Sequence, residues 1–314
     1  MALPDVTEKW AGKVLDVSIG VEPNQVTVGG QTTLPYLNFE GDTPNSPVVA
    51  MEVLDADPTE WTPVQREPFG DVLDNPADWA KKCVGEFGAD MISIMLKSIH
   101  PDFGDASVDH AVDVVGKVSE AVDVPLIVFG CGDAEKDNVV LPPVAEALKG
   151  KNAALGSATE TNYKTISAAC QMAGHNLITE SPCDINIAKQ VNILVSENGF
   201  PLERVIMYPT TGALGYGFEY VYSIMERSRI AALSGDKMMA PPVICLVGPE
   251  VWRVKEALSP MEEQPHWGPE SERGPMWEAM TASTLFMAGA DIMVIRHPKA
   301  AAAVKNLIGE LMKK

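Results

Sequence analysis

Short runs of consecutive apolar residues alternate along most of the chain with longer stretches in which apolar residues recur every three or four positions. The runs are Val48–Leu54, Met91–Leu96, Leu126–Phe129, Ala153–Leu155, Leu177–Thr179, Val205–Tyr208, Val243–Val247 and Ile292–Ile295, the fourth and fifth being the shortest. Residues apolar at successive positions suit parallel strands buried on both faces rather than half-wet antiparallel ones. Between the runs, Pro76–Phe87 sets Trp79, Ala80, Cys83, Val84 and Phe87 on one helical face, and Asp184–Glu197 and Phe218–Leu233 follow the same period. Eight such units in about 270 residues match an α/β fold of the (β/α)8 TIM-barrel type. A doubly wound open sheet would want a glycine fingerprint at an early strand–helix turn, and none stands there. The first 45 residues differ. Lys13–Ser18 and Gln25–Val28 flank a turn at Gly20–Pro23, which predicts a β-hairpin plugging the bottom of the barrel. No linker divides the chain, so the expectation is a single domain: an extension and hairpin over 1–45 and the barrel over 46–314.

Composition narrows the partners. The 314 residues carry 24 Lys and Arg against 43 Asp and Glu, a net charge of −19 that repels nucleic acid and anionic membrane surfaces. Apolar runs stop well short of the roughly 18 residues a membrane span needs; Asp291, for instance, interrupts the run near Leu285–Ile295. The start, Met1 to Asp5, lacks the layout of a signal peptide. The five cysteines, Cys83, Cys131, Cys170, Cys183 and Cys245, are scattered and include no C-x-x-C pair, which speaks against a disulfide framework or a thiolate metal cage. Together these features predict a cytoplasmic protein.

In a barrel of this kind chemistry gathers where strands end and helices begin. Asp55 and Asp57 follow the first run, and Lys97 ends the second. The third ends in Gly130-Cys131-Gly132-Asp133, where Gly130 and Gly132 permit close backbone approach and Asp133 either accepts from a ligand or caps the next helix. The fourth is followed by Thr159, Asn162 and Tyr163, with Thr159 or Thr161 a candidate cap. Ser181 and Asp184 follow the fifth, around a Ser-Pro helix entry. The sixth leads into Thr210-Thr211-Gly212-Ala213-Leu214-Gly215-Tyr216-Gly217, a loop able to lie flat against a large planar ligand or simply to turn tightly. Arg296 and His297 end the eighth. Paired carboxylates exist at strand ends, Asp55 with Asp133 or Glu160, although spacing does not show that they meet. The five histidines show no H-x-H or H-E-x-x-H spacing, and there is no Walker loop, G-x-S-x-G elbow or cobalt-binding D-x-H-x-x-G. The residues describe a neutral, glycine-rich mouth without a recognisable catalytic apparatus.

Several segments are familiar. Met51-Glu52-Val53 with Asp71-Val72, Val128 to Asp137 (VFGCGDAEKD), Ser181 to Gln190 (SPCDINIAKQ), Gly212 to Tyr220 with Ser223 to Arg227, and Gly235-Asp236-Lys237-Met238 resemble the small subunit of the corrinoid iron–sulfur protein. The archaeal version is the delta subunit of the acetyl-CoA decarbonylase/synthase complex. The likeness runs from about Val28 to the C terminus, in several motifs in the same order.

The resemblance implies a TIM barrel paired with a large corrinoid iron–sulfur subunit that carries a four-iron cluster and a cobalamin domain. The cobalamin (corrinoid) would sit at the interface, against this barrel. Further implied partners are a methyltetrahydrofolate:corrinoid methyltransferase, acetyl-CoA synthase and a reductive activator of the corrinoid, in the reductive acetyl-CoA (Wood–Ljungdahl) pathway of anaerobes. The four-iron cluster would lie on the partner chain alone, as the missing cysteine quartet suggests. On strand order, Gly130–Asp133, Thr159–Tyr163, Ser181–Asp184 and Thr210–Gly217 are expected to line the corrin-facing surface. The competing expectation is a pterin-binding methyltransferase barrel acting directly on methyltetrahydrofolate, with Asp55, Asp133 and Asn162 meeting the pterin.

Overall fold

The computed structural model describes residues 7–313, so the N-terminal segment weighed as a signal peptide lies outside the described residues. Two short antiparallel strands come first, β1 (Val17–Ile19) and β2 (Val26–Val28). Eight parallel strands follow: β3 (Val48–Leu54), β4 (Met91–Met95), β5 (Leu126–Phe129), β6 (Ala154–Ala158), β7 (Asn176–Glu180), β8 (Val205–Tyr208), β9 (Ile244–Leu246) and β10 (Ile292–Ile295). They neighbour one another in the order β8-β7-β6-β5-β4-β3-β10-β9. The ring closes between β8 and β9 at one parallel bridge, Met207 to Val243, where Met207 N donates to Pro242 O at 2.8 Å.

The helices between the strands are α1 (Pro63–Arg66), α2 (Pro76–Gly85), α3 (Val108–Ala121), α4 (Ala134–Ala147), α5 (Tyr163–Ala173) and α6 (Ile185–Glu197). After β8 come α7 (Phe218–Leu233), α8 (Val247–Val251), α9 (Lys255–Leu258), α10 (Glu270–Met287) and α11 (Pro298–Leu311). Side chains at their starts satisfy the free N–H groups there: Asn75 before α2, Ser107 before α3, Asp133 before α4 and Asp184 before α6. None of the described helices is long and apolar enough to cross a membrane.

Four of the eight strands coincide with the apolar runs, and the other four differ by one to three residues. The largest difference is β6, which extends to Ala158 because its pairing with β7 shifts register between Leu155 and Ala158. The pleat sends alternate residues to opposite faces. Val49, Met51 and Val53 of β3 therefore join the shell beneath the helices, while Ala50 joins the barrel interior.

The hairpin seals the lower end of that interior. Val17, Ile19 and Val28 are fully buried and cluster with Ala50, Met91 and Ile127. Its backbone is held by two asparagines at the feet of β6 and β7: Asn152 Nδ2 donates to Ser18 O at 2.9 Å, and Asn176 Nδ2 to the same oxygen at 2.9 Å. Asp291, the charge that breaks the last apolar run, works at this end too. Its buried carboxylate accepts from Gln31 Nε2 at 2.7 Å and Val243 N at 2.9 Å.

The plug thus supplies core, and truncating it should be felt globally. Ile19→Ala is expected to lower unfolding free energy by about 2–4 kcal/mol, as for other buried large-to-small changes. Urea denaturation reads this directly, and a loss well below 1 kcal/mol would mean that the hairpin is peripheral to the barrel.

Candidate functional site

The same alternation that fills the barrel with Ala50, Ile178, Ile206 and Val294 brings a different set to its upper end, two residues further along each strand. On β3 that residue is Glu52, on β7 Glu180, on β8 Tyr208, and just past β10 Arg296. Glu52 and Arg296 lie beside each other because Met51 pairs with Ile295 across β3 and β10. Arg296 Nε reaches Glu52 Oε2 at 2.6 Å and its NH2 reaches Oε1 at 3.1 Å, a bidentate pair with both residues buried. The guanidinium also lies over the ring of Trp61, 4.4 Å from its centroid.

The backbone beneath Arg296 is fixed from α10. Glu278 is fully buried and accepts from Arg296 N at 2.5 Å, His297 N at 3.1 Å and Trp252 Nε1 at 2.8 Å. Burial pushes its carboxyl up to about 7, against the pull of those donors and of Arg296. His297 stacks on Trp252 with centroids 5.8 Å apart. Its Nδ1 accepts from Lys299 N at 3.2 Å, so the ring must be neutral, and burial holds it down to about 4.

Over this floor opens a cavity of about 510 Å³, walled by Trp61, Trp252, Phe103 and Met95. Its charged groups are matched in pairs. Lys97 meets Glu60, and Lys97 also sits 5.5 Å from the Phe103 ring centroid. Arg253 meets Glu250 at 2.9 Å. Burial alone would raise the Glu60 carboxyl, but Lys97 outweighs it and the group is held low. For Glu250 burial prevails over Arg253 and the group is raised. On this side of the mouth, three cations and three carboxylates therefore cancel.

The opposite side of the barrel top carries two carboxylates, Asp137 and Glu180, that have no cation partner among the described residues. Asp137, at the start of α4, accepts from Cys131 N at 2.8 Å, Cys131 Sγ at 3.4 Å and Gly132 N at 3.1 Å. Glu180 accepts from Ser157 Oγ. Burial raises both carboxyls, and it also pushes the Cys131 thiol up to about 12, so Cys131 is a thiol at neutral pH.

Most of the side chains expected at the mouth are committed to holding their own loops. Asp133 caps α4 through Lys136 N at 2.8 Å, and Asp184 caps α6 through Asn186 N at 2.7 Å. Asn162, rather than either threonine, ties the turn into α5. It is buried, its Oδ1 accepts from Thr159 N at 2.7 Å, and its Nδ2 donates to Ser157 O at 3.2 Å. Thr159 Oγ1 bonds Thr161 Oγ1 at 2.8 Å, while Tyr163 begins α5 half-buried. Ser181 is buried, and its carbonyl accepts from Thr210 Oγ1 at 2.6 Å. Thr211 Oγ1 accepts from Leu246 N at 2.8 Å. Tyr216 is exposed and donates to Glu256 Oε2 at 2.8 Å.

The glycines divide. A Cβ at Gly130 would lie 2.2 Å from the Asp137 carboxylate, and one at Gly212 2.9 Å from the Gly217 backbone, so both serve tight packing. Gly132 and Gly215, at φ +88 and +81, face open space and leave their backbone accessible. Asp55 accepts from Ser98 N at 2.9 Å and from Ser98 Oγ at 2.5 Å.

The residues overlooked in the sequence are Glu52, Glu278, Trp61 and Trp252. Glu52 alone had a signal, a carboxylate at an inward position of an otherwise apolar strand. Glu278 gives the site a measurable pH response. A carboxyl raised from 4.5 to about 7 on folding favours the native state at low pH, and this contribution is lost between pH 4.5 and 7. The stability difference between wild type and Glu278→Gln should therefore shift against wild type by about 3 kcal/mol from pH 5 to pH 8. His297 has the opposite sign, costing stability below about 6.5, but it is common to both proteins and cancels. Urea midpoints at the two pH values test this, and a pH-independent difference would refute it.

Comparison with known proteins places the chain. Residues 16–258 match the CO dehydrogenase/acetyl-CoA synthase delta subunit family. The acetyl-CoA decarbonylase/synthase complex subunit delta of Archaeoglobus fulgidus is 38% identical over 316 residues, covering 97% of this chain and 70% of that protein. The delta subunit of Methanopyrus kandleri is 38% identical over 301 residues, covering 93% of this chain and 74% of that one. Among solved structures, the barrel is similar to dihydropteroate synthases. The Xanthomonas albilineans enzyme with 4-aminobenzoic acid has TM-score 0.58 and 13% identity, covering 95% of this chain and all of that one. The Coxiella burnetii enzyme with pteroic acid has TM-score 0.56 and 13% identity, covering 88% and 98%. At that identity the likeness concerns the fold alone. Architecture and sequence agree, and the chain belongs to the CO dehydrogenase/acetyl-CoA synthase delta subunit family.

Proposed function

We propose that this chain is the small subunit of a corrinoid iron–sulfur protein and that its barrel mouth covers and shields a corrinoid held by a large partner subunit. In this reading the methyl group travels from a methyltetrahydrofolate:corrinoid methyltransferase to acetyl-CoA synthase, and this chain is a binding surface rather than the catalyst. Membership in the delta subunit family of a multi-subunit complex supports the role. The observation that carries it is the mouth itself: a wide cavity of about 510 Å³ whose ionic groups are spent on one another.

Acid–base or nucleophilic catalysis needs a group left free to react, and the side chains that the sequence offered for it are engaged. Cys131 is protonated, Asp55 is held by Ser98, Asp133 caps α4, and Asn162 ties the turn before α5. The last three are the side chains a pterin would have needed, which weighs against direct action on methyltetrahydrofolate.

The donor set suits a corrin, whose rim is fringed with amides. Glu180 and the open backbone at Gly132 and Gly215 would accept from or donate to those amides, and Trp252 and Phe103 would give apolar walls. The bound cobalt would supply the methyl-accepting and methyl-donating centre. This chain would exclude water and oxidants from it, since a closed site suppresses side reactions.

Gly215 separates bulk from backbone strain. In the complex with the large subunit, Gly215→Trp should lower cobalt retained after gel filtration on the order of tenfold, the scale of a lost hot-spot contact. Gly215→Ala, which has the same φ strain but little bulk, should stay near wild type. Equal cobalt in all three proteins would place the corrinoid elsewhere, and tight methyltetrahydrofolate binding by this chain alone would revive the methyltransferase reading.

A further inference from the structure

A barrel helix normally buries one stripe and turns charged residues outward. α10 breaks this rule. From Gly274 to Met287 it contains one charged residue, Glu278, and that side chain points inward. Its outward positions are Met276, Met280, Ser283 and Met287, and the three methionines are 58%, 49% and 41% exposed. The spacings of four, three and four residues draw a straight seam along the helix, the pattern one helix offers to another. Methionines suit such a role because their flexible thioethers adapt to a partner surface.

The neighbour on one side widens the face. α11 packs along α10 and exposes Ala302, Ala303, Asn306 and Gly309 in its middle turns, with Lys299, paired to Glu272 of α10 at 2.7 Å, and Glu310 toward its ends. The ridge of methionines thus stands beside a helix whose exposed middle positions are short, uncharged side chains, and Trp267, 38% exposed, lies in the turn before α10.

The surroundings determine the kind of occupant. Glu219 and Glu226 project from α7, which meets the end of α10 where Arg229 NH2 donates to Gly289 O at 3.1 Å. Glu262 and Glu263 project from the loop leading into α10. These four carboxylates are exposed, and none has a cation partner among the described residues. On a chain of net charge −19, a second copy of the same face would bring like charges together. An uncharged ridge flanked by unpaired carboxylates calls for an uncharged ridge flanked by lysine or arginine.

We propose that the outward face of α10, with the adjoining face of α11, seats a helix of a different polypeptide, apolar at helical spacing and basic along its flanks. The proposal rests on the functional reading above and assigns the surface by which the large corrinoid iron–sulfur subunit grips this chain. The face lies on the outer wall below Arg296 and Trp252, so a subunit anchored there has the mouth within reach of a second domain.

The experiment titrates the purified large subunit onto the full chain, comparing wild type with Met276→Asp/Met280→Asp. The double variant should bind on the order of tenfold more weakly or worse, as expected when central apolar contacts are replaced by charge. Neutralising Glu219, Glu226, Glu262 and Glu263 to Gln should slow association at low salt and flatten its salt dependence. Met280→Leu should bind as wild type. Circular dichroism checks folding, and Met276→Gln/Met280→Gln stands in if the aspartates unfold the helix. Wild-type binding left unchanged in the double variant overturns this inference while leaving the functional reading intact. Failure of wild type itself to bind sinks that reading and this one together. A homodimer that the double variant dissociates would show the occupant to be a second copy, and would also overturn it.

Discussion

A buried guanidinium is costly unless its hydrogen bonds are met, and the mouth of this barrel is organised around meeting those of Arg296. Two of its N–H groups go to Glu52, a carboxylate brought alongside by the parallel register of β3 and β10. Its flat face goes to Trp61. The peptide from which it projects is held by Glu278, reaching in from α10 and also gripping Trp252. Removing Glu52 would leave the Arg296 charge buried and unmatched, and removing Glu278 would leave the buried N–H groups of Arg296, His297 and Trp252 without their acceptor.

This arrangement gives the mouth its chemical character. Charges that answer each other leave little free to attack or to take a proton, while the aromatic side chains that frame them build rigid walls. The floor is stiff and electrically quiet, properties suited to enclosing a reactive centre that another subunit supplies. At the opposite rim Glu180 and the exposed backbone at Gly215 keep capacity for further hydrogen bonds. Behind the pair, α10 turns Glu278 inward to hold the floor, and beyond its first turn its outward positions are uncharged.

Many of the loop side chains expected at the mouth bond to their own loops, for a general reason. Each strand–helix turn at the mouth must satisfy the free N–H groups of the helix it starts, and Asp, Asn, Ser and Thr are the residues that do so. Asp133 and Asp184 are spent this way, while Asn162 ties together the turn that leads into α5. A polar residue after a strand carries the same letter whether it faces ligand or its own backbone.

The order and kind of the secondary elements, the hairpin at the lower end and the eightfold repeat were all legible along the chain, because each is a local matter of apolar spacing and turn residues. Glu52 was legible as a charge at an inward strand position, though its purpose was not. That Glu52 meets Arg296, 244 positions later, was settled by ring closure, which sets the first and last barrel strands side by side. The inward turn of Glu278 and the outward turn of the α10 methionines came likewise from how that helix rolls onto the barrel. Periodicity along one element records which residues share a face; the packing of the whole chain decides what that face meets.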